Sequence, residues 1–480
     1  MAPRSRTCWM AVAALGALIV LALVAVACGS DSSSTTSAAT DPVRPSVTVS
    51  LPTPSTTVNQ ATAVQLAMSD LTRLAPAVSQ TDLLSAAASM QAFGVDLYRV
   101  LKNTTGDKNL VFSPSSIVTA LAMTYAGAGG STAQEMAATL HFHLEGDALH
   151  QAFNSLDAAL ESVNFEQKDP EGHQVGVLIK TANSLWGQRD LAFEKLFLDT
   201  LAADYGAGIR LVDYKTAAEK ARQAINAWVA DQTDDKIPEL VPQGALDSLT
   251  RLVLVNAIYL HATWMAQFDP GSTKDGAFTT AAGATVTARM MRQTFSFPYG
   301  KGDGWQAVQL PYLGGKVALM VIVPDKGRFA EVESRLALDS PGATGVSAPS
   351  TGGLIDQAVA SLGEGTEVDL TLPKFQFRTQ AGLKDALVAL GMKSAFGPEA
   401  DFSGMTKQES LSISDVIHEA YIAVDEEGTE AAAATAVIMR ATGMPAQPLQ
   451  LIVDRPFIFA LRDLETGALL FLGRVTDPTA

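Results

Sequence analysis

Few residues of this chain have the types and spacing that chemistry needs. Three of its six histidines, His141, His143 and His150, are close enough in sequence to hold a zinc ion. No second shell is apparent around them, and an exposed helix-to-loop junction accounts for them better. His418 and Asp425 could join one of many serines in a nucleophilic triad. Nothing local marks a nucleophile, however, and a lone strand histidine is ordinarily a satisfied core group. Glu426–Glu427 is an acidic pair of the kind that solvent usually covers, which makes a glycosidase reading weak. Gly-x-Ser-x-Gly, His-Glu-x-x-His, Walker and dinucleotide patterns are all absent. The residues therefore predict neither an enzyme nor a metal or cofactor site.

A different kind of stretch stands out. Asp425–Thr442 reads Asp-Glu-Glu-Gly-Thr-Glu, then alanine from 431 to 434, then Thr-Ala-Val-Ile-Met-Arg-Ala-Thr. Four alanines favour a helix. The flanks do not. Residues 418–424 alternate apolar and polar as a half-buried strand does. Val437 and Ile438 are β-branched, and Gly443, Pro445 and Pro448 stop any helix. What remains is a long segment of small side chains between two strands.

The elements around it belong to one large region. Of 480 residues, 47% are hydrophobic and 18% charged, which gives ample core. A formal net charge of −16 argues against nucleic-acid binding. Arg4 and Arg6 precede an apolar run from Trp9 to Ala27, which predicts an export signal over 1–27. Ala25-Val-Ala-Cys28 resembles a bacterial lipobox, so Cys28 is the expected lipidation site; the alternative is an uncleaved membrane anchor. Either places the remainder outside the cytoplasmic membrane. The other cysteine, Cys8, lies in the signal, which leaves the folded region without a disulfide or thiol. Residues 28–80, rich in Ser, Thr, Ala and Pro, read as a tether, with a weak helix possible over 61–76.

From 81 to 480 the pattern is continuous. Helices are expected from Thr81, over Ile117–Tyr125, Thr132–Leu140, Ala217–Thr233 and Leu383–Leu390. Strands are expected over Val177–Trp186, Leu252–Leu260, Trp305–Leu310, Val317–Val323, Val368–Leu372, Leu451–Val453, Phe457–Leu461 and Leu469–Val475. Ser340–Gly353 reads as a surface loop. Helices early and antiparallel strands late give an α+β fold.

Several separated stretches together resemble the serpin family of protease inhibitors. They are Asn109-Leu-Val-Phe-Ser-Pro-Ser-Ser116, Asn256-Ala-Ile-Tyr-Leu-His-Ala-Thr-Trp264, Leu372-Pro-Lys-Phe375, Asp401-Phe-Ser-Gly-Met405, His418 through Ala434, Arg455-Pro-Phe-Ile-Phe459 and Phe471-Leu-Gly-Arg474. Their order matches the family's across 85–477.

The resemblance implies three β-sheets, about nine helices and an exposed reactive-centre loop, in a single domain over 81–480. It also implies suicide inhibition of an extracellular serine protease by a monomer, with an elastase-like or subtilisin-like target favoured and a trypsin-like one as the alternative. The cut loop would enter the large sheet as a strand and hold the protease as an acyl-enzyme. Glu426, Gly428, Thr429 and Ala431, Ala432, Ala433 and Ala434 match the loop hinge, and Gly428 would let the backbone turn into the sheet. Ser113, Pro114, Ser116, Asn256 and His418 match the shutter that keeps the sheet closed. Trp264 matches the breach, where insertion starts. The family's count from Glu426 puts the cleaved bond at Thr442–Gly443, with Arg440 and Met444 as alternatives. A non-inhibitory serpin serving as a surface binding lipoprotein is the competing reading, and a hydrolase the third.

Overall fold

A computed structural model describes residues 64–170, 172–337, 353–429 and 447–480. The signal, Cys28 and most of the expected tether lie outside these residues, as do 340–352 and most of the small-residue run. Among the described residues no helix is long and apolar enough to cross a membrane.

In chain order, β1 (Gln65–Ala67) precedes α1 (Gln80–Thr105). β2 (Leu110–Phe112) leads into α2 (Pro114–Tyr125), α3 (Gly130–Thr139) and α4 (Gly146–Glu161). β3 (Phe165–Lys168) and β4 (Gln174–Gln188) follow, then α5 (Lys195–Tyr205), β5 (Ile209–Val212) and α6 (Tyr214–Gln232). The second half is mostly strand. It holds β6 (Leu252–Thr263), β7 (Lys274–Thr279), β8 (Thr285–Gly302), β9 (Trp305–Pro311) and β10 (Val317–Pro324). α7 (Phe329–Ser334), α8 (Leu354–Ser361), β11 (Gly363–Pro373), β12 (Phe375–Gly382), α9 (Lys384–Ala389) and β13 (Asp415–Val424) come next. The chain closes with β14 (Gly428–Thr429), β15 (Leu449–Ile452), β16 (Phe457–Asp463) and β17 (Leu469–Val475).

The strands form two hydrogen-bonded networks. The first runs β1-β5-β4-β6-β14-β13-β12, with β3 on β4. The second runs β15-β11-β8-β9-β10-β16-β17-β2, with β7 on β8. The three expected sheets appear as two networks because β8 is long. It pairs with β7 and β11 along most of its length and with β9 only at Tyr299–Gly302.

β6 is an apolar run because it is covered on both faces. Leu252 and Leu254 join the cluster beneath, with Ile117, Val118 and Leu121 of α2. Val253, Val255 and Ala257 join Ile225 and Val229 of α6 on the other side. By parity Asn256 faces α2. The start of α2 is fixed locally: the Ser113 hydroxyl caps the Ser116 amide at 3.2 Å, and Pro114 occupies the first turn.

Some boundaries differ from expectation. Ser79, not a residue at 81, caps α1 by accepting from the Asp82 amide. Ala217 breaks helical geometry in the first turn of α6. The weak helix over 61–76 is not formed in its described part, because Gln65–Ala67 pairs antiparallel with β5. Backbone pairing with a sheet edge overrides the local preference, although Gln65 and Leu66 stay exposed.

One buried charge ties the helices to the second network. The Arg474 guanidinium on β17 donates to Glu333 Oε1 at 2.7 Å and to the carbonyls of Lys108 and Gly106. Tyr98 donates to the same Glu333 oxygen at 2.6 Å. Both members of the pair are almost fully buried. Replacing Arg474 with Met leaves the buried Glu333 carboxylate with Tyr98 and the more distant Lys102 at 3.7 Å, and the expected loss is about 3 kcal/mol, read as a lower denaturant midpoint.

Candidate functional site

The site is a seam within the first network. β6 and β13 pair directly and in parallel from Val253↔Asp415 to Ile258↔Ala420. Beyond that point they separate around β14. Gly428 pairs with Thr263, and Thr429 pairs with Ala262 on one side and Val424 on the other, all antiparallel. The described end of the small-residue stretch thus already lies between two strands that touch one another further along.

His418 sits opposite Asn256 in the closed part, and both are fully buried. The Ser113 amide donates to His418 Nε2 at 3.2 Å. Nδ1 must then carry the proton, which it gives to Asn256 Oδ1. Asn256 Nδ2 donates to Ser116 Oγ and to Asn183 Oδ1, each at 2.5 Å. Ser116 Oγ donates to Asn183 Oδ1 at 2.7 Å. One network therefore joins α2, β4, β6 and β13. Pro114 contributes by position: a Cβ on Gly94 of α1 would meet its ring at 2.7 Å.

Burial pushes the His418 imidazole down to about 3, so it is neutral and able to accept from Ser113. His418 and Asp425 do not form a triad. They lie on the same strand run, about 23 Å apart at extended spacing, and Asp425 accepts the Glu427 and Gly428 amides instead.

The open end is equally built. Trp264 stacks on Tyr312 at 4.4 Å between ring centres. Its amide donates to the Glu427 carbonyl at 2.8 Å and its indole to the Asp425 carbonyl at 2.9 Å. The Tyr312 hydroxyl meets Thr429 Oγ1 at 2.6 Å, and Thr429 is buried. Glu426 accepts from Thr273 at 2.7 Å and from Lys374 at 2.5 Å. Burial raises the Glu426 carboxyl, but those two donors outweigh it and hold it below the usual range. Gly428 needs its missing side chain for a reason other than the one expected. Its φ is not in the left-handed region; a Cβ there would collide with the Ala262 carbonyl.

The three clustered histidines part company. His141 bonds Asp96 at 2.8 Å, and His150 bonds Tyr205 at 2.8 Å. His150 is buried rather than exposed, and burial pushes it down to about 4. Among the described residues no group of three ligands could hold a metal. Sequence reasoning missed Asn183, Thr273 and Tyr312. Lys374 lay unremarked inside a quoted motif. Ala431, Ala432, Ala433, Ala434, Arg440, Thr442, Gly443 and Met444 lie outside the described residues.

The family profile described as "Serpin (serine protease inhibitor)" matches residues 88–478. The chain belongs to the serpin family. A serpin-like protein of Thermococcus kodakarensis is 38% identical over 392 residues, covering 81% of this chain and 85% of its own. The leukocyte elastase inhibitor of Sus scrofa is 36% identical over 399 residues, covering 82% and 99%. Among solved structures, human thyroxine-binding globulin aligns with a TM-score of 0.69 at 28% identity, over 83% of this chain and all of its own. A serpin of the insect Tenebrio molitor aligns at 0.68 and 29%, over 84% and 99%. The α+β fold with a large central sheet is that of this serpin family.

Two outcomes follow from the geometry. His418 binds a proton less readily folded than unfolded, so the stability it contributes is present above about pH 6.5 and falls as pH drops toward about 3. His418→Gln should flatten the slope of melting temperature against pH across that window. Gly428→Ala should expel β14 from the seam, seen as faster hydrogen exchange at Thr429 than in the parent.

Proposed function

We propose that this serpin is a suicide inhibitor of an extracytoplasmic serine protease. The observation that carries the reading is β14: the first hinge residues already lie antiparallel between β6 and β13, with Thr429 buried. Continuing that strand would replace a parallel pairing with two antiparallel ones, which are slightly more stable per residue. Alternate residues Ala431, Ala433 and Thr435 would share the buried face with Thr429. A small side chain at each is what a slot in a packed sheet can accept.

The protease would attack the bond Thr442–Gly443, with Arg440 and Met444 as the alternative specificity residues. Insertion of about fifteen residues then carries the acylated enzyme roughly 50 Å. Its triad and oxyanion hole lose their alignment, and misplacement by about 1 Å can cost about 100-fold in deacylation. In this reading the serpin is a substrate that stalls an enzyme and is not an enzyme itself. Threonine at the cleaved position suits elastase-like or subtilisin-like proteases, and the name of the Sus scrofa relative agrees with that class.

The reading extends to the N-terminus. Residues 1–27 direct export, Cys28 carries the lipid, and the chain after it tethers a monomeric inhibitor at the outer face of the cytoplasmic membrane. The competing role is a non-inhibitory binding serpin. The likeness to thyroxine-binding globulin in its ligand complex favours it.

Mixing the purified chain with elastase or subtilisin should give a covalent complex that survives boiling in detergent. Digestion by every serine protease tried would sink the proposal. Thr429→Arg should turn inhibition into turnover, with at least about 100-fold less complex per cleaved chain. Loop cleavage without a large gain in melting temperature would instead favour the binding role.

A further inference from the structure

The residues just before the family match are not idle. β1 adds to the free edge of the first network through Gln65↔Leu211, Leu66↔Arg210 and Ala67↔Ile209. A few residues later the same segment is fastened to the helices. The Leu74 amide donates to Ala203 of α5 at 2.7 Å, and its carbonyl accepts from Asn154 of α4 at 2.9 Å. Arg73 spans Asn154 at 2.7 Å, Asp157 at 2.7 Å and Glu161 at 2.9 Å, all on α4. Ser69 donates to Asp199 of α5 at 2.5 Å. Gly208 leaves the room this requires: a Cβ there would lie 2.6 Å from the Ala67 carbonyl oxygen.

The segment also walls a cavity of about 450 Å³. Leu66, Met68 and Arg73 line it together with Asn183 of the polar network. Opening the seam moves β6 away from β13. β4 must follow, because it is laddered to β6 from Val177↔Ala262 to Gly187↔Leu252. β5 follows β4 through Leu185↔Ile209 to Gln188↔Val212. β1 rides on β5, yet Arg73 and Leu74 hold its continuation to α4 and α5.

We infer that Gln65–Leu74 is a strap that fastens the moving edge of the sheet to the helical body and slows opening of the seam. Contacts that must be broken on the way to the open state raise its barrier. The strap acts on the seam itself and rests on the inhibitory reading only for its biological effect.

Two full-length variants loosen it from opposite sides. Arg73→Ala removes the anchor, and Gly208→Val drives a side chain against the Ala67 carbonyl. Arg289→Ala, which breaks an exposed pair with Asp275 on the other network, is the control. Hydrogen exchange of Val253–Ile258 and Asp415–Ala420 should quicken about tenfold in both variants and stay at the parent rate in the control. Unchanged seam exchange in both variants, with β1 shown released, overturns the strap. Spontaneous conversion to a heat-resistant form should quicken alongside. Faster exchange in a chain that neither converts nor inhibits would fault the inhibitory reading and leave the strap standing.

Discussion

The molecule turns on a hydrogen bond between two side chains on neighbouring parallel strands. His418 and Asn256 face each other within the stretch where β6 and β13 pair directly. Neither can be lost quietly. Asn256 is the acceptor for the imidazole and the donor that joins Ser116 to Asn183. His418 in turn receives the amide at the start of α2. A buried polar network of this kind is worth most when every member is satisfied, so its parts hold together or fail together. It gives the closed seam a sharp threshold instead of gradual fraying.

The other end of the seam has the opposite character. There the strands are already apart, and the space is filled by a short antiparallel strand, a stacked Trp264–Tyr312 pair and the Glu426 anchor. Parallel pairing below and antiparallel pairing above meet within a few residues. The sheet thus carries two pairing arrangements of its own backbone, and they meet at this junction. The carboxylate of Glu426, kept charged by Lys374 and Thr273, fixes the level at which the junction rests.

Much of this could be read from the chain. The buried strand over 252–260, a helix after Pro114 and the strand carrying His418 all follow from local pattern, since apolar runs and a first-turn proline act over a few positions. The polar partners were harder. Asn183 belongs to β4 and meets Asn256 only because β4 and β6 pair in one register. Tyr312 and Thr273 reach the hinge from separate elements, and no spacing announces that. Gly428 was picked out for a local conformational reason, whereas what excludes a side chain there is a neighbouring strand's carbonyl. The ordered segment before α1 defeated composition altogether: Ser, Ala and Pro gave no sign that Arg73 would find three partners on α4.

The pairing of Thr429 with both Ala262 and Val424 acts like the start codon of a message read two letters at a time. It sets the frame for any strand that extends from it. Losing or gaining one residue before the end of the alanine run would exchange every inward side chain for an outward one, although composition would hardly change. A change of two residues would preserve the frame and shift only the reach, by about 7 Å. For a strand grown from that pair, many exchanges between small residues would leave the fit intact, while the length up to the end of the alanine run would vary only in even steps.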